Sequence, residues 1–298
     1  MFDKFIINYQ TNPFEELSNA TKFEDVTTGR KGAILVDNQN GLIPIVRSTT
    51  VYHRPVQNFL PPHYNIINNI KDISKCPQLE FNNALIEVYD HRYQTMGFHS
   101  DQALDLEQNS YICIFSCYDN PTYLRKLKIK EKSTKKCFEI VLDQYSFILF
   151  PLSTNGEHLH KIVLEENSSN NKWLGITFRL SKTFIQFIDK IPYFYPSLQI
   201  LKTASPDDRK EYFKHRSNEN KSVKYTYPEI NYTISASDML EIELIDESDS
   251  IRDICHRVID KCHRVIDKCD SIKDKCDQLI EYIMGLKNDD VNDVDDRC

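Results

Sequence analysis

The chain has 298 residues, of which 40% are hydrophobic and 27% are charged, and its formal net charge is −7. This length predicts one main domain with an extension, because it is enough to bury one sizeable core. The acidic balance argues against a general nucleic-acid-binding protein, so a polyanion would have to bind a local basic patch. No apolar run is long enough to cross a bilayer and no signal peptide pattern is present, which predicts a soluble intracellular protein, cytoplasmic or nuclear, without membrane contact.

The first 80 residues mix short apolar segments with turn signals. They include AILVDNQNGLIPIV at 33–46 and the proline-rich RPVQNFLPPHY at 54–64. After the prolines, Tyr64–Ile73 has apolar residues at near-helical spacing, which predicts a helix that flanks the main fold.

Seven short segments from residue 84 onward are rich in β-branched and aromatic residues and are separated by polar turns, which predicts strands. They are Ala84–Tyr89, Tyr111–Cys117, Leu124–Ile129, Phe138–Leu142, Ser146–Phe150, His160–Leu164 and Leu174–Leu180. Strands in this number without intervening helices indicate a mainly β fold of the sandwich, jelly-roll or barrel type.

The last third of the chain predicts accessory segments. Residues 201–245 are expected to be a charged linker or accessory segment, in which 207–224 is a loop or an exposed helix. At 246–287 the repeat CHRVIDK CHRVIDK CDSIKDK CDQLIEY places Cys at every seventh position. This heptad pattern predicts an α-helical coiled coil that self-associates or binds another helix, with Cys acting as a small hydrophobe. Residues 288–298 form an acidic tail.

A candidate metal site begins with His99 and Asp101 in the stretch MGFHSDQALD. In an extended segment, residues two apart point to the same face, so both side chains can bind one ion. His160 opens a later strand, and two His with one carboxylate form the triad that holds non-haem Fe(II) while leaving three coordination positions open. Arg179, on the last strand, offers a guanidinium to a carboxylate. A lone His-x-Asp is usually polar surface, so the signal depends on the later residues.

The segment from about 84 to 180 resembles the AlkB-like branch of the Fe(II)/2-oxoglutarate-dependent dioxygenases. ALIEVY resembles the strand with the family's co-substrate tyrosine, which is Tyr89 here, and FHSD resembles the segment with the first two metal ligands. TNGEHLHKI resembles the segment in which Thr-Asn precedes the distal His, which favours His160 over His158. WLGITFR resembles the strand that ends in Arg179. Between these, YICIFSCY, LRKLKIK and FEIVLDQYSFILF resemble further strands of the family in the same order.

The resemblance implies a double-stranded β-helix, or jelly roll, in a catalytic domain at 1–200 with its core at 84–182. It implies Fe(II) held by His99, Asp101 and His160, with 2-oxoglutarate as co-substrate bound by Arg179 and Tyr89, and dioxygen as oxidant. The implied reaction couples decarboxylation of 2-oxoglutarate to succinate with hydroxylation of an unreactive C–H bond. On an N-methylated nucleic acid this releases formaldehyde and demethylates the base.

Departures from the family pattern leave alternatives open. Glu87 stands where members commonly have Asn, and Trp173 where they often have a second Arg. Gln102 and Ala103 follow the metal-binding Asp, where DNA-repair members tend to have acids, and Asp105 is the nearest acid. A hydroxylase of a protein or small molecule, or a catalytically inactive jelly-roll module for assembly, are therefore the alternatives to a nucleic-acid demethylase.

Two segments are candidates for substrate contact. The basic stretch 125–136 contains Arg125 and Lys126, which are predicted to contact phosphates, or else lie on a solvated strand. The stretch 46–59 contains Tyr52 and Arg54 and corresponds in position to the family's substrate-covering segment, where they would contact a flat substrate. Ordinary edge packing is the alternative for this second stretch.

Overall fold

The computed structural model describes residues 1–165 and 171–242, which leaves the predicted coiled coil and acidic tail outside the described residues. The helices are α1 (Phe14–Asn19), α2 (Pro61–Ser74), α3 (Leu152–Glu157) and α4 (Pro206–Lys221), with a short 3-10 helix at Ala236–Met239. The strands are β1 (Asp3–Ile6), β2 (Glu24–Thr27), β3 (Arg30–Val36), β4 (Ile43–Pro44), β5 (Gln57–Asn58), β6 (Asn83–Tyr89), β7 (Tyr111–Tyr118), β8 (Lys126–Glu131), β9 (Cys137–Val141), β10 (Ser146–Pro151), β11 (His158–Val163), β12 (Trp173–Arg179), β13 (Phe184–Ile188), β14 (Ile191–Tyr195), β15 (Lys202–Thr203) and β16 (Tyr232–Thr233).

The predicted mainly β architecture is confirmed. One large sheet has the order β1-β10-β7-β12-β6-β3-β2, with β5 beside β3, and a smaller sheet has the order β11-β8-β9. Apart from the parallel β3–β5 pair, the neighbours in both sheets are antiparallel, which is consistent with a β-sandwich or jelly roll. The seven predicted strands correspond to β6–β12 with ends displaced by at most two residues. The short helix α3 between β10 and β11 was not predicted.

The two faces of the large sheet bury different partners because strand side chains alternate between faces. In β7, Cys113 and Phe115 belong to a core that also contains Ile66 and Ile70 of α2. On the opposite face, β7 contributes to a second core with β8 and β11 of the small sheet. The small sheet therefore covers one face of the large sheet, and helices α1 and α2 pack on the other.

Helix α2 confirms the predicted helix at 64–73 but begins three residues earlier, at Pro61. Proline is favoured in the first helical turn, where a backbone N–H has no partner within the helix. The N–H of Leu60 is donated to Nδ1 of His63 at 2.9 Å, so a buried histidine caps this end.

Polar residues line the inner face of the large sheet, which is the face toward the small sheet. The register aligns Trp173, Tyr89 and Arg30 in one row across β12, β6 and β3, and the next inner row contains Gly175, Glu87 and Gly32. Arg179 lies six residues along β12 from Trp173 and therefore also points inward.

Helix α4 occupies most of 207–224, where a loop or an exposed helix was predicted, and most of its residues are exposed or half-buried. It begins after Ser205, whose side chain accepts the N–H of Asp208, and two of its residues, Tyr212 and Glu219, are buried. Among the described residues, no helix combines the length and apolar character needed to span a membrane.

Candidate metal centre

The backbone itself brings the two histidines together. His99, in the loop after β6, forms an antiparallel bridge with His160 of β11. The His99 N–H is donated to the His160 carbonyl at 3.0 Å, and the His160 N–H is donated to the His99 carbonyl at 2.6 Å. Residues that exchange both bonds in this way project their side chains to the same side. The ring centroids consequently lie 4.7 Å apart.

Asp101 completes a three-residue cluster. One ligand atom from each of His99, Asp101 and His160 lies within 4.8 Å of the other two. Nε2 of His160 is 3.5 Å from Oδ1 of Asp101. His158, the alternative to His160, instead packs its ring edge-on against Phe2 with centroids 5.4 Å apart. The structure thus brings together the three side chains that were predicted from the sequence as metal ligands.

The free atoms of the cluster suit a cation. Nδ1 of His99 lies 2.9 Å from the Gly97 carbonyl, an arrangement that directs the lone pair of Nε2 toward the cluster. Oδ2 of Asp101 is buried and has no hydrogen-bond partner, and Nδ1 of His160 also has none. A buried carboxylate oxygen without a donor is costly unless a positive charge faces it.

Protonation also favours metal binding. Burial, together with the neighbouring His160, lowers the pKa of His99 to about 3. Burial opposes ionisation of Asp101, but the charge of Arg179 and the hydrogen bond to His160 outweigh it and hold the pKa of Asp101 well below its usual range. At neutral pH, Asp101 is therefore a carboxylate beside a neutral His99, which are the ligand forms that a divalent metal requires.

Asn155 of α3 fixes the segment that carries Asp101. The Asp101 N–H donates a hydrogen bond to Oδ1 of Asn155, and Nδ2 of Asn155 donates one to the Asp101 carbonyl, both at 2.8 Å. The sequence signal for this contact was the Thr-Asn pair that precedes the distal His. The helix thus ties the loop with the first two ligands to the strand with the third.

Helix α4 holds the same loop from another side, a role that the sequence reasoning missed. Glu219 accepts the N–H of Ala103 at 2.8 Å, Asn220 accepts the N–H of Ser100 at 3.1 Å, and Arg216 donates to the Ser100 carbonyl. Tyr212 accepts from the side chain of Gln102 at 3.1 Å. The available signal was the spacing of Tyr212, Arg216 and Glu219, which places them on one helix face.

Arg179 contacts a metal-ligand candidate directly. Its Nε lies 3.0 Å from Oδ2 of Asp101, although the angle does not meet that of a hydrogen bond, and both side chains are about 10% exposed. Tyr89, its predicted partner in co-substrate binding, instead donates its hydroxyl to Oε2 of Glu87 at 2.6 Å. The two residues therefore have different carboxylate partners in this structure.

No protein-family model and no curated protein matches this sequence. A solved structure described as "The structure of OsALKBH1" is similar in part, with 12% sequence identity and a TM-score of 0.37 over 51% of this chain and 78% of that chain. At this level of similarity, a functional assignment depends on the chemistry of the site alone.

The four predicted substrate residues do not converge on one surface. Tyr52 is 2% exposed and lies inside the sandwich, whereas Arg54 is exposed and its N–H is donated to Glu24. Arg125 is 1% exposed and donates to the carbonyls of Tyr93 and Asp90. Lys126 forms ion pairs with Glu139 and Glu165 at 2.7 and 2.8 Å.

Asp105, the acid nearest to the metal-ligand segment, is also engaged elsewhere. It is 1% exposed and its Oδ1 accepts from Nη2 of Arg47 at 2.7 Å. The Arg47 N–H is donated to Oδ2 of the same carboxylate at 2.8 Å. Asp105 therefore anchors the stretch 46–59 to the loop and does not face a substrate.

Proposed function

We propose that this protein is a mononuclear non-haem Fe(II) oxygenase that uses a 2-oxo acid and dioxygen. The observation that carries the proposal is the His99–Asp101–His160 cluster, in which Asp101 and His160 are buried and His99 is half-buried, and whose ligand atoms lie within 4.8 Å of one another. Two nitrogen donors and one carboxylate suit Fe(II) and leave open coordination positions for a co-substrate. Fe(II) in such a site supplies, with a 2-oxo acid and dioxygen, the oxidation of an unreactive C–H bond.

The residues present fit the metal and the keto acid end of the co-substrate. His99, Asp101 and His160 would hold the ion through ligand atoms that lie within 4.8 Å of one another. Arg179, 3.0 Å from Asp101, supplies the positive charge that a carboxylate bound beside the metal needs. The ring of Phe150 faces the edge of His160 with centroids 6.1 Å apart and helps to exclude water. The second carboxylate of 2-oxoglutarate fits less well, because Glu87 lies on the inner wall.

For the substrate, we propose an N-methylated nucleic acid. Phe98 directly precedes His99 and is partly exposed, and Nζ of Lys161 and Lys130 lie 4.8 and 5.8 Å from the centroid of its ring. Lys161 points to the face of β11 opposite His160, so these cations would contact phosphates of the nucleic acid outside the metal pocket. Gln102 and Ala103 bond to α4, so selection among bases would depend on pocket shape and not on an acid at these positions.

Formaldehyde release tests the complete proposal. The Fe(II)-loaded protein is incubated with a 2-oxo acid, dioxygen and methylated oligonucleotides, and we expect formaldehyde with the wild type and with His158→Ala but not with His160→Ala. Consumption of the 2-oxo acid without formaldehyde from any methylated oligonucleotide would replace demethylation by hydroxylation of a protein or small molecule. No consumption by metal-loaded protein would favour an inactive assembly module.

A further inference from the structure

The inner wall of the sandwich contains a buried carboxylate in a narrow slot. The Glu87 side chain is 9% exposed and lies between Gly32 and Gly175 on the neighbouring strands. A Cβ at Gly32 would be 2.9 Å from Oη of Tyr52, and a Cβ at Gly175 would be 1.9 Å from the Trp173 ring. The two glycines therefore make room for a hydroxyl and an indole on either side of Glu87.

The donors at this wall are already committed to Glu87. Nε of Arg30 donates to Oε1 at 2.7 Å, and the Tyr89 hydroxyl donates to Oε2 at 2.6 Å. Trp173 packs on the opposite side of Tyr89 at a centroid distance of 4.7 Å. A guanidinium and a hydroxyl of this kind are the groups that would bind a carboxylate of a ligand, and here a carboxylate of the chain takes them.

The wall and the metal end belong to one polar interior. Burial raises the pKa of Tyr52 well above its usual range, Glu87 raises it further, and the charges of both Arg30 and Arg179 oppose the rise. Gly175, opposite Glu87, and Arg179 lie four residues apart on β12 and point to the same inner face, where the Tyr52 hydroxyl lies beside Gly32. This hydroxyl is buried without a hydrogen-bond partner, and so are Nε1 of Trp173 and Oγ of Ser116, which also lie on the inner face. These unpartnered groups are uncharged.

In the part of the chain that the structure describes, the cations near this wall already have partners, although Nε of Arg125 and Nε of Arg179 make no hydrogen bond. Arg30 is bonded to Glu87, Arg179 lies against Asp101, and Arg125 donates to two backbone carbonyls while its guanidinium faces the Tyr89 ring at 5.2 Å. Adding an anion at Arg30 beside the buried Glu87 would place two carboxylates on this guanidinium, and an uncompensated buried charge is strongly unfavourable.

We infer that Glu87 takes the place of a co-substrate's second carboxylate, so that the site accepts a 2-oxo acid with an uncharged far end in preference to the dicarboxylate 2-oxoglutarate. This inference rests on the proposed function, because it concerns the co-substrate of the same metal centre. It also gives the departures at Glu87 and Trp173 a single explanation. Glu87 and Trp173 both line the wall with side chains that suit the uncharged end of a ligand.

Equilibrium binding tests the inference without catalysis. The protein is loaded with Fe(II) under anaerobic conditions and titrated with pyruvate, 2-oxobutanoate or 2-oxoglutarate, and the visible charge-transfer band of the Fe(II)–keto acid complex is followed. We expect the wild type to bind the better of the two monocarboxylates at least tenfold more tightly than 2-oxoglutarate. Glu87→Gln should increase the affinity for 2-oxoglutarate at least tenfold and change the affinity for the monocarboxylates less than threefold. Glu80→Gln, at an exposed position, is the matched control and should behave as the wild type.

The outcomes separate the two proposals. Wild-type protein that binds 2-oxoglutarate as tightly as the monocarboxylates, or more tightly, overturns the role of Glu87 and leaves the oxygenase proposal standing. Fe(II)-loaded protein that gives no band with any of the three acids overturns the oxygenase proposal itself. The wild-type ranking needs no variant, so a Glu87→Gln protein that fails to fold does not prevent a decision.

Discussion

Nε of Arg179 and Oδ2 of Asp101 lie 3.0 Å apart, which joins the centre of the large sheet to the loop that carries two metal-ligand candidates. Arg179 is held in the antiparallel register of β12, whereas Asp101 belongs to a loop without regular structure. The pair therefore places the end of β12 beside the metal-ligand loop. It also places a permanent positive charge where an anionic ligand of the metal would bind.

Replacing Arg179 by Gln should separate co-substrate binding from metal binding. The variant keeps a hydrogen-bond donor near Asp101 but removes the positive charge. We expect the affinity for a 2-oxo acid to fall by about tenfold to hundredfold, because a hydrogen bond to a charged group is worth roughly 1.5–3 kcal/mol. Metal affinity should change by less than about threefold. Calorimetric titration with Mn(II), followed by a 2-oxo acid, measures both affinities. A variant that loses metal affinity but keeps its affinity for the 2-oxo acid would contradict a role of Arg179 in co-substrate binding.

Asn155→Ala should weaken metal binding although Asn155 is not a ligand candidate. The substitution removes both hydrogen bonds between this side chain and the Asp101 backbone. Loss of a group that orients a metal ligand typically costs about 10–100-fold in metal affinity, and we expect a change in that range. Asn68→Ala is the control, because Asn68 is exposed on α2. Equal metal affinities for the two variants would show that the loop does not need this clamp.

Glu219→Ala tests whether α4 supports the site. The Glu219 side chain is 7% exposed, and its carboxylate accepts from Ala103, Arg216 and Tyr227. Its removal leaves these donors without this acceptor, and we expect a loss of about 3–5 kcal/mol in the free energy of unfolding. Glu211→Ala, with a side chain that is 64% exposed, should change it by less than about 0.5 kcal/mol. Urea unfolding curves measure the difference, and similar midpoints for both variants would contradict the role of α4.

The buried His63 should lower the free energy of unfolding in acid. Burial lowers its pKa to about 4, below the value of about 6.5 expected for the unfolded chain. The contribution of this neutral imidazole is therefore fully present above about pH 6.5 and is lost as the pH falls toward 4, to an extent of about 3 kcal/mol. His63→Gln should flatten this part of the profile, whereas His53→Gln at an exposed position should not. The test is the urea unfolding midpoint measured between pH 4 and 7.5. If the midpoints of the wild type and of His63→Gln change in parallel with pH, His63 does not cause the loss of stability.

The strands and the metal-ligand candidates were predictable because their signals are local or periodic. Segments rich in β-branched and aromatic residues between polar turns identified β6–β12, and the two-residue spacing of His99 and Asp101 placed both on one face. The partnership with His160 followed from the order of motifs. The backbone bridge between His99 and His160 was not predictable, because it depends on how a loop meets a distant strand.

The environment of Glu87 could not be derived from the sequence. Its partner Arg30 lies on β3, and only the pairing of β3 with β6 brings the two side chains to the same face. The role of α4 could not be predicted for a different reason. Its charged composition predicts solvent exposure, whereas the buried Glu219 accepts hydrogen bonds from residues that include the distant Ala103. Polar contacts of this kind carry no hydrophobic periodicity.

The most direct test of the central claim is the binding of a divalent metal to the full chain. Apoprotein is titrated with Mn(II) as a redox-inert substitute for Fe(II), and bound metal is measured by electron paramagnetic resonance. We predict one ion per chain, a loss of affinity of roughly hundredfold or more in Asp101→Ala and in His160→Ala, and a change of less than about threefold in His158→Ala. Wild-type affinity in Asp101→Ala and His160→Ala, or no binding by the wild type, would contradict the assignment of this cluster as a metal centre.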